Sequence, residues 1–148
     1  MGHLTGQPLD VDALLRETEN DRCGAFVVFG GVVRNHHQGR GVTGMSYSAY
    51  APMAEKVLAD LEVETRERFG VEECRIVHRI GDLAIGEASV LVVVRAAHRG
   101  DAFRAGEYAI DTLKVRLPVW KYDFYEDGTT GFQDGVPLTE PGNGVPER

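Results

Sequence analysis

The segment CRIVHRIGDLAIGEASVLVVVRAAH, residues 74–98, decides the fold. It contains two strand-like runs, CRIVHRIG and ASVLVVVRAAH, joined by the turn-like connection DLAIGE with Gly86 inside it. The second run consists almost entirely of Val, Leu and Ala, which is typical of a central strand covered on both faces. The sequence therefore predicts a sheet whose middle is buried from both sides.

Helices are predicted on either side of this segment. A long helix begins near Pro52, a residue suited to the first helical turn, and runs to Gly70. A second helix begins near Gly100 and ends before Pro118, which cannot continue it. The buried stripe expected for the first helix is Ala54, Val57, Leu58, Leu61, Thr65 and Phe69. The stripe expected for the second is Phe103, Gly106, Ile110, Leu113 and Leu117.

The N-terminal third adds a short helix and two further strands. LDVDALLRETEN, residues 9–20, predicts a helix capped by Asp10. GAFVVFGGVV, residues 24–33, is β-branched and aromatic enough to form a strand. RNHHQGRG, residues 34–41, is expected to be a polar loop. MSYSAY, residues 45–50, alternates like a half-buried strand.

The order of elements favours one fold class. With a last short strand over residues 119–124, the order after the leading helix is β, β, α, β, β, α, β. Paired strands separated by single helices indicate an α+β fold with mixed or antiparallel sheets, two main helices and a short N-terminal helix. We expect one domain over residues 1–126 and a mobile, Gly- and Pro-rich tail over residues 127–148.

Composition excludes several classes of protein. The 148 residues carry a formal net charge of -7, which argues against a broad nucleic-acid or anionic-membrane surface. No apolar run approaches the roughly 20 residues that span a bilayer, and the N-terminus lacks the apolar stretch of a signal peptide. Cys23 and Cys74 are far apart and outside any C-x-x-C spacing, so we expect buried thiols. A cytoplasmic location follows as an expectation.

Three places concentrate cationic groups against this acidic background. Arg34 comes just after a strand, and His98 and Arg99 lie at a strand-to-helix junction, where free backbone N–H groups favour a phosphate. Lys114 and Lys121 stand on either side of the proline in LKVRLPVWK, residues 113–121. The three places can converge on one anion pocket if the neighbouring elements pack together.

Each cluster has a simpler interpretation that the local sequence leaves open. Lys114 follows Asp111 by three residues, so it could form an ordinary ion pair on the helix surface. Arg34 could be a solvated loop residue. Two adjacent histidines, His36 and His37, without a third ligand at useful spacing give little support for a metal site. His78, inside an apolar strand, is interpreted as a core or partly exposed side chain rather than a catalyst.

Four blocks of sequence together resemble a known family. They are FGGVVRNHH (29–37), YSAYAPMAEKVL (47–58), IVHRIGDLAIGEASVLV (76–92) and AHRGDAFRAGEYAIDTLKVRLPVWK (97–121). Their order and content are similar to those of the MoaE family, the large catalytic subunits of molybdopterin synthase, between about residues 24 and 121. The H-R block and the L-K-x-x-x-P-x-W-K block are the most specific parts of this resemblance.

The resemblance implies a fold, a reaction and partners. The fold would be an α/β-hammerhead, and the protein a homodimer that forms a heterotetramer with two small ubiquitin-like sulfur carriers. Each carrier would insert a C-terminal Gly-Gly thiocarboxylate into the large subunit. Two sulfur transfers would convert cyclic pyranopterin monophosphate, or precursor Z, into the molybdopterin dithiolene. No metal or other cofactor, no nucleic acid and no membrane is implied.

The resemblance also implies roles for individual residues. Lys114 is the residue most closely tied to catalysis, and Lys121 supports it. The substrate-binding positions are Phe29, Val32, Val33, Arg34, His98, Arg99, Lys114, Lys121, Tyr122 and Asp123. Tyr122 and Asp123 depart from the family's usual basic residue followed by Glu, and the tail lacks the family's basic residues before Arg148. Another phosphate-handling transferase, or a non-catalytic scaffold homologue, remains an alternative at this point.

Overall fold

A computed structural model describes residues 2–132 of the chain, which form nine strands and three helices. The helices are α1 (Val11–Glu17), α2 (Ala51–Phe69) and α3 (Arg99–Arg116). The longer strands are β2 (Ala25–Val32), β4 (Arg40–Ala49), β5 (Glu73–Arg79), β7 (Ala88–Ala96) and β8 (Val119–Tyr125). The short strands are β1 (Leu4–Thr5), β3 (His36–His37), β6 (Gly81–Ala84) and β9 (Thr130–Phe132). The predicted α+β class, with two main helices and a short N-terminal one, is confirmed.

The first sheet has the strand order β1-β5-β7-β2. β7 is antiparallel to both β5 and β2, while β1 pairs in parallel with β5. Val92, Val93 and Val94 of β7 are fully buried, which confirms the prediction of a central strand covered on both faces. Alternate residues explain this burial, because Val92 and Val94 pack with α2 and α3 on one face and Val93 packs with Leu14 of α1 on the other.

The helix ends follow the predicted signals. The Asp10 carboxylate accepts a hydrogen bond from the backbone N–H of Ala13 at the start of α1. Pro52 lies in the first turn of α2, and Gly70 ends that helix with a left-handed φ of 65°. No helix in the described part of the chain is long and apolar enough to span a membrane.

The packing of α3 differs from its predicted stripe. Phe103 is 63% exposed, so its expected place in the core is wrong. Ala102, Ala105 and Ala109 are fully buried instead, because small residues let the helix backbone approach the sheet closely. A Cβ at Gly106 would lie 3.2 Å from a methyl of Val27. This close approach sets the distance between α3 and β2.

The second sheet is built around β4, which pairs with β3, β6 and β8. The expected polar loop over residues 34–41 contains a hairpin, because Gln38 and Gly39 both have positive φ and reverse the chain between β3 and β4. The connection DLAIGE is likewise more than a turn, since β6 pairs along β4 with Leu83 opposite Met45. The hairpin and β6 both differ from the prediction because they form by pairing with β4, and the local sequence does not indicate that pairing.

The second sheet continues beyond the predicted domain boundary at residue 126. Residues 126–129 form a turn closed by a hydrogen bond from the Tyr125 N–H to the Thr129 carbonyl at 2.9 Å. β9 then pairs with β8, with Phe132 opposite Tyr122. The beginning of the expected mobile tail is therefore part of the sheet, and residues 133–148 of that tail lie outside the described residues.

Candidate active site

A cavity of about 300 Å³ lies where the two sheets meet the C-terminal end of α3. Its volume is at the lower end of the range for small-molecule sites. The wall combines apolar side chains with charged and polar ones. Six lining residues, each from a different helix or strand, are Phe29, Tyr47, His78, Val90, Leu113 and Lys121. Because both sheets and α3 contribute, the fold itself shapes this cavity.

Lys114 and Lys121 both line the cavity, and the chain between them explains why. The Leu117 N–H donates to the Leu113 carbonyl at 2.9 Å, and Leu117 then turns to an extended backbone with ψ 124°. Pro118 prevents the helix from continuing, so β8 starts at Val119 in a new direction. The proline turn thus directs one lysine from a helix end and one from a strand into the same space.

The alternative interpretation of Lys114 as a surface ion pair is wrong. Among the described residues, the ion pairs of α3 are Arg104 with Asp101 and Arg116 with Glu64, and none joins Lys114 to Asp111. The Lys114 side chain is exposed and borders the cavity instead. It is therefore positioned to contact a ligand.

The second half of β2 and the loop after it supply three of the predicted residues to the same cavity. Phe29, Val32 and Arg34 line it. Val33 does not, because it is 3% exposed and packs with Met45, Tyr47 and Leu83 in the core. Its backbone is also engaged, since its N–H donates to the Glu87 carbonyl and its carbonyl accepts from the Gly86 N–H. Val33 thus packs behind the wall and does not line the cavity itself.

The two residues after Lys121 point in opposite directions. Asp123 lines the cavity, whereas Tyr122 faces the other side of β8, as the alternation of a strand requires. The Tyr122 hydroxyl is hydrogen-bonded to the Thr130 hydroxyl at 2.7 Å, and its ring lies edge-on against Phe132. A direct substrate contact by the Tyr122 side chain is therefore not supported by its position.

Asp123 is a buried acceptor in the cavity wall. It is fully buried, and its Oδ2 accepts a long hydrogen bond of 3.4 Å from the Tyr125 hydroxyl. Within residues 2–132, its Oδ1 has no hydrogen-bond partner. Burial is the main cause that raises the pKa of the neighbouring Tyr47; a hydrogen bond with Ser89 acts in the opposite direction, and the Asp123 charge adds a smaller increase. A buried carboxylate oxygen without a partner is costly, so this atom is suited to a ligand that donates a hydrogen bond.

His98 and Arg99 do not reach this cavity. They border a separate depression with Gly24, Ala25, Ala97 and Gly100. Ala25 pairs with Ala96 at one end of β2, and Val32 pairs with Ala88 at the other. At about 3.3 Å per residue the two ends of β2 are roughly 20 Å apart. The predicted convergence of all three cationic clusters is therefore wrong within one copy of the chain.

Several lining residues were not expected from the sequence. Tyr47, His78 and Ser89 add polar groups to the wall, and His36 and His37 lie at its edge. The sequence predicts His78 as a core or partly exposed side chain, and it is only 4% exposed. The apolar pattern of its strand does not indicate that the His78 ring borders a cavity. Its place in the IVHRIG block was the available signal. Across residues 2–132, no group of three His, Cys, Asp or Glu side chains could hold a metal ion.

Known proteins resemble this chain over most of its length. A family model described as MoaE protein matches residues 4–116. The molybdopterin synthase catalytic subunit of Bacillus subtilis (strain 168) is 36% identical over 144 residues, covering 97% of this chain and 92% of that protein. The Homo sapiens molybdopterin synthase catalytic subunit is 36% identical over 128 residues, covering 86% of this chain and 68% of that protein.

Solved structures give the same result for the fold. The crystal structure of molybdopterin synthase from Staphylococcus aureus superimposes with a TM-score of 0.84 at 39% identity, covering 89% of this chain and 96% of that one. One chain from a structure of the complex of subunits 1 and 2 of molybdopterin-converting factor from Helicobacter pylori 26695 superimposes with a TM-score of 0.75 at 26% identity, covering 95% of each chain. The similarity of fold thus extends over 89% and 95% of this chain, respectively.

Proposed function

The chain belongs to the MoaE protein family, whose matched relatives are molybdopterin synthase catalytic subunits, and we propose that it catalyses sulfur transfer to cyclic pyranopterin monophosphate. The sulfur comes from the C-terminal thiocarboxylate of a small carrier subunit. The product is the dithiolene of molybdopterin. The enzyme is a sulfurtransferase of molybdenum cofactor biosynthesis.

The observation that carries this proposal is the meeting of three cationic side chains in one cavity of an acidic protein. Arg34, Lys114 and Lys121 line that cavity, although the chain has a formal net charge of -7. A cyclic phosphate is an anion that such a cluster recognises through charge-assisted hydrogen bonds. The apolar and aromatic parts of the wall, such as Phe29, suit a planar pterin.

The chemistry places specific demands on the lysines. Attack by the thiocarboxylate sulfur on a substrate carbon forms a carbon–sulfur bond while a carbon–oxygen bond of the substrate breaks. Water then hydrolyses the sulfur–acyl bond, which leaves the sulfur on the substrate and releases the carrier as a carboxylate. Negative charge develops on oxygen during these steps, and protons must be delivered and removed. Lys114 carries the proton transfers, while Lys121 and Arg34 stabilise the anion. The steps involve no net oxidation or reduction, so the transfer does not require a redox cofactor.

A small carrier is the partner that this reaction requires. The Helicobacter pylori structure that resembles this chain is a complex of two subunits of molybdopterin-converting factor. By analogy, a carrier ending in Gly-Gly docks at the cavity, because a narrow C-terminal tail can bring its thiocarboxylate to Lys114. Two carriers and two copies of this chain form a heterotetramer.

A dimer also explains the position of His98 and Arg99. The family resemblance assigns both residues to substrate binding, yet they border a depression away from the cavity that holds Lys114. We propose that His98 and Arg99 of one copy reach the cavity of the other. Their place at the start of α3 exposes them for such a contact. Each active site is then shared between two copies.

The proposed location is the cytoplasm. Cys23 and Cys74 are both free thiols. Burial raises the pKa of the Cys74 thiol to about 12, so this cysteine is unreactive and is not a sulfur donor. Unpaired cysteines are the usual state of proteins in a reducing compartment.

Reconstitution tests the proposed function. The purified chain is mixed with thiocarboxylated carrier and cyclic pyranopterin monophosphate, and molybdopterin is measured after oxidation to a fluorescent derivative. We expect product that depends on all three components. Carrier with an ordinary carboxylate terminus is the matched control and should yield none. Unimpaired carrier binding without any product would instead favour the non-catalytic scaffold.

A further inference from the structure

His78 is held in one tautomer in the wall of the cavity. Its Nδ1 lies 2.8 Å from the Arg79 carbonyl oxygen, and a carbonyl only accepts hydrogen bonds. Nδ1 therefore carries the ring hydrogen. In a neutral imidazole the other nitrogen, Nε2, is then an acceptor with an available lone pair. The backbone thus determines which nitrogen can receive a hydrogen bond.

The surroundings of the His78 ring connect it to Lys121. Tyr47 packs edge-on against the His78 ring, with ring centres 5.0 Å apart. Tyr47 is also the direct partner of Lys121 in the pairing of β4 with β8. Directly paired residues on one face of a sheet have Cβ atoms about 5 Å apart. His78, Tyr47 and Lys121 all line the cavity, so the three side chains are neighbours in one wall.

The His78 ring is neutral at physiological pH. Burial is the main cause that lowers its pKa to about 4, and the nearby Lys121 charge makes a smaller contribution in the same direction. The hydrogen bond to the Arg79 carbonyl acts in the opposite direction but is outweighed. A neutral ring next to an ammonium group can accept from it, whereas a protonated ring would repel it.

We propose that His78 is a positioning residue for Lys121, whose ammonium donates a hydrogen bond to Nε2 of the neutral His78 ring. This inference rests on the proposed function, because it gives Lys121 a fixed direction toward the substrate anion. A long lysine side chain has many rotamers, and an acceptor in a rigid strand restricts them. Tyr47 holds the ring from the side, and the Arg79 carbonyl holds it from behind.

Nitrogen NMR of the histidine ring tests the contact without any need for activity. At pH 7 the wild-type His78 should show a protonated Nδ1 and a hydrogen-bonded, unprotonated Nε2. In Lys121→Met, the Nε2 resonance should move toward the position of an acceptor without a hydrogen bond, while Nδ1 stays. Lys56→Met, on the exposed surface of α2, is the control and should move neither. An Nε2 resonance that is unchanged in Lys121→Met would overturn the proposal.

Two variants separate positioning from support of the fold. His78→Gln keeps an acceptor near the place of Nε2, and His78→Asn keeps a donor near Nδ1 for the Arg79 carbonyl. Since a hydrogen bond to a charged group that binds the substrate anion is at stake, we expect kcat/KM of the Asn variant to fall about tenfold to a hundredfold, mainly through a higher KM. The Gln variant should retain most of the wild-type kcat/KM. Equal losses in both variants, or a better Asn variant, would contradict the proposal.

The two experiments also distinguish failure of this inference from failure of the proposed function. If the wild-type chain forms no molybdopterin, the proposed function fails, while the NMR comparison still decides whether Lys121 contacts His78. If the wild type is active and Lys121→Met leaves Nε2 unchanged, only the inference about His78 fails.

Discussion

Replacing Lys114 by alanine is expected to lower kcat about 10²-fold to 10⁴-fold, the range of a general acid–base residue. Lys114 leaves the last turn of α3 and borders the cavity, and it makes no ion pair with Asp111 among the described residues. The loss should therefore come from chemistry rather than from stability. Thermal unfolding of the variant should match that of the wild type, since an exposed lysine adds little to stability.

The arginine variant decides which property of Lys114 matters. Lys114→Arg keeps the positive charge but cannot give up its proton near neutral pH. We expect it to remain strongly impaired over the whole pH–rate profile, because arginine cannot carry the proton transfers assigned to Lys114. Lys56→Ala, at an exposed ion pair with Asp60 on α2, is the control and should keep full activity. An arginine variant with full activity and an unchanged profile would mean that Lys114 acts only as a positive charge.

Mixing two inactive variants is expected to restore about a quarter of the wild-type activity. One parent is Lys114→Ala, and the other carries His98→Ala and Arg99→Ala together. If each site takes Lys114 from one copy and His98 and Arg99 from the other, a mixed dimer contains one intact site and one doubly defective site. Random exchange makes half of the dimers mixed, and half of the sites in those dimers are active. The increase is large because either parent alone should be nearly inactive.

The same mixture distinguishes shared sites from sites within one copy. If His98 and Arg99 served the cavity of their own chain, no mixed dimer would contain an intact site, and activity would stay at the level of the parents. The separation of roughly 20 Å along β2 argues against that arrangement. Dimer exchange should be verified by native mass spectrometry before activity is compared. A mixture that exchanges fully yet remains inactive would contradict a shared site.

The central parts of the fold could be predicted from the sequence because each has a strong local signal. β7 contains an unbroken apolar run over residues 90–94, and α2 has a proline in its first turn and a left-handed glycine at its end. The weaker elements depend on distant partners. β6 exists because it pairs with β4, and Phe103 is exposed because the alanines of α3 occupy the contact with the sheet. Hydrophobic spacing alone does not distinguish a large apolar residue beside an interface from one within it.

Part of the candidate site could also be predicted, because its cationic residues lie in distinctive blocks of sequence. Lys114, Lys121 and Arg34 could be named from the family resemblance, and the structure brings them to one cavity. For the residues beside these three in the sequence, the face of the sheet on which each side chain lies depends on the pairing of the strands. This pairing puts Asp123 in the cavity wall and Tyr122 on the opposite face, and it places Val33 in the core. The distance between His98 and the cavity could not be predicted either. It depends on the end of β2 at which each cationic residue lies, and His98 and Arg34 lie at opposite ends.

The central claim is that the cavity between the two sheets binds the anionic substrate. A crystal structure of the chain with cyclic pyranopterin monophosphate, at a concentration that saturates binding in solution, tests it most directly. We expect density for the cyclic phosphate within hydrogen-bonding distance of Arg34 and Lys121, with Lys114 facing the pterin. Density at the depression of His98 and Arg99 alone, with the cavity empty in every copy, would contradict it.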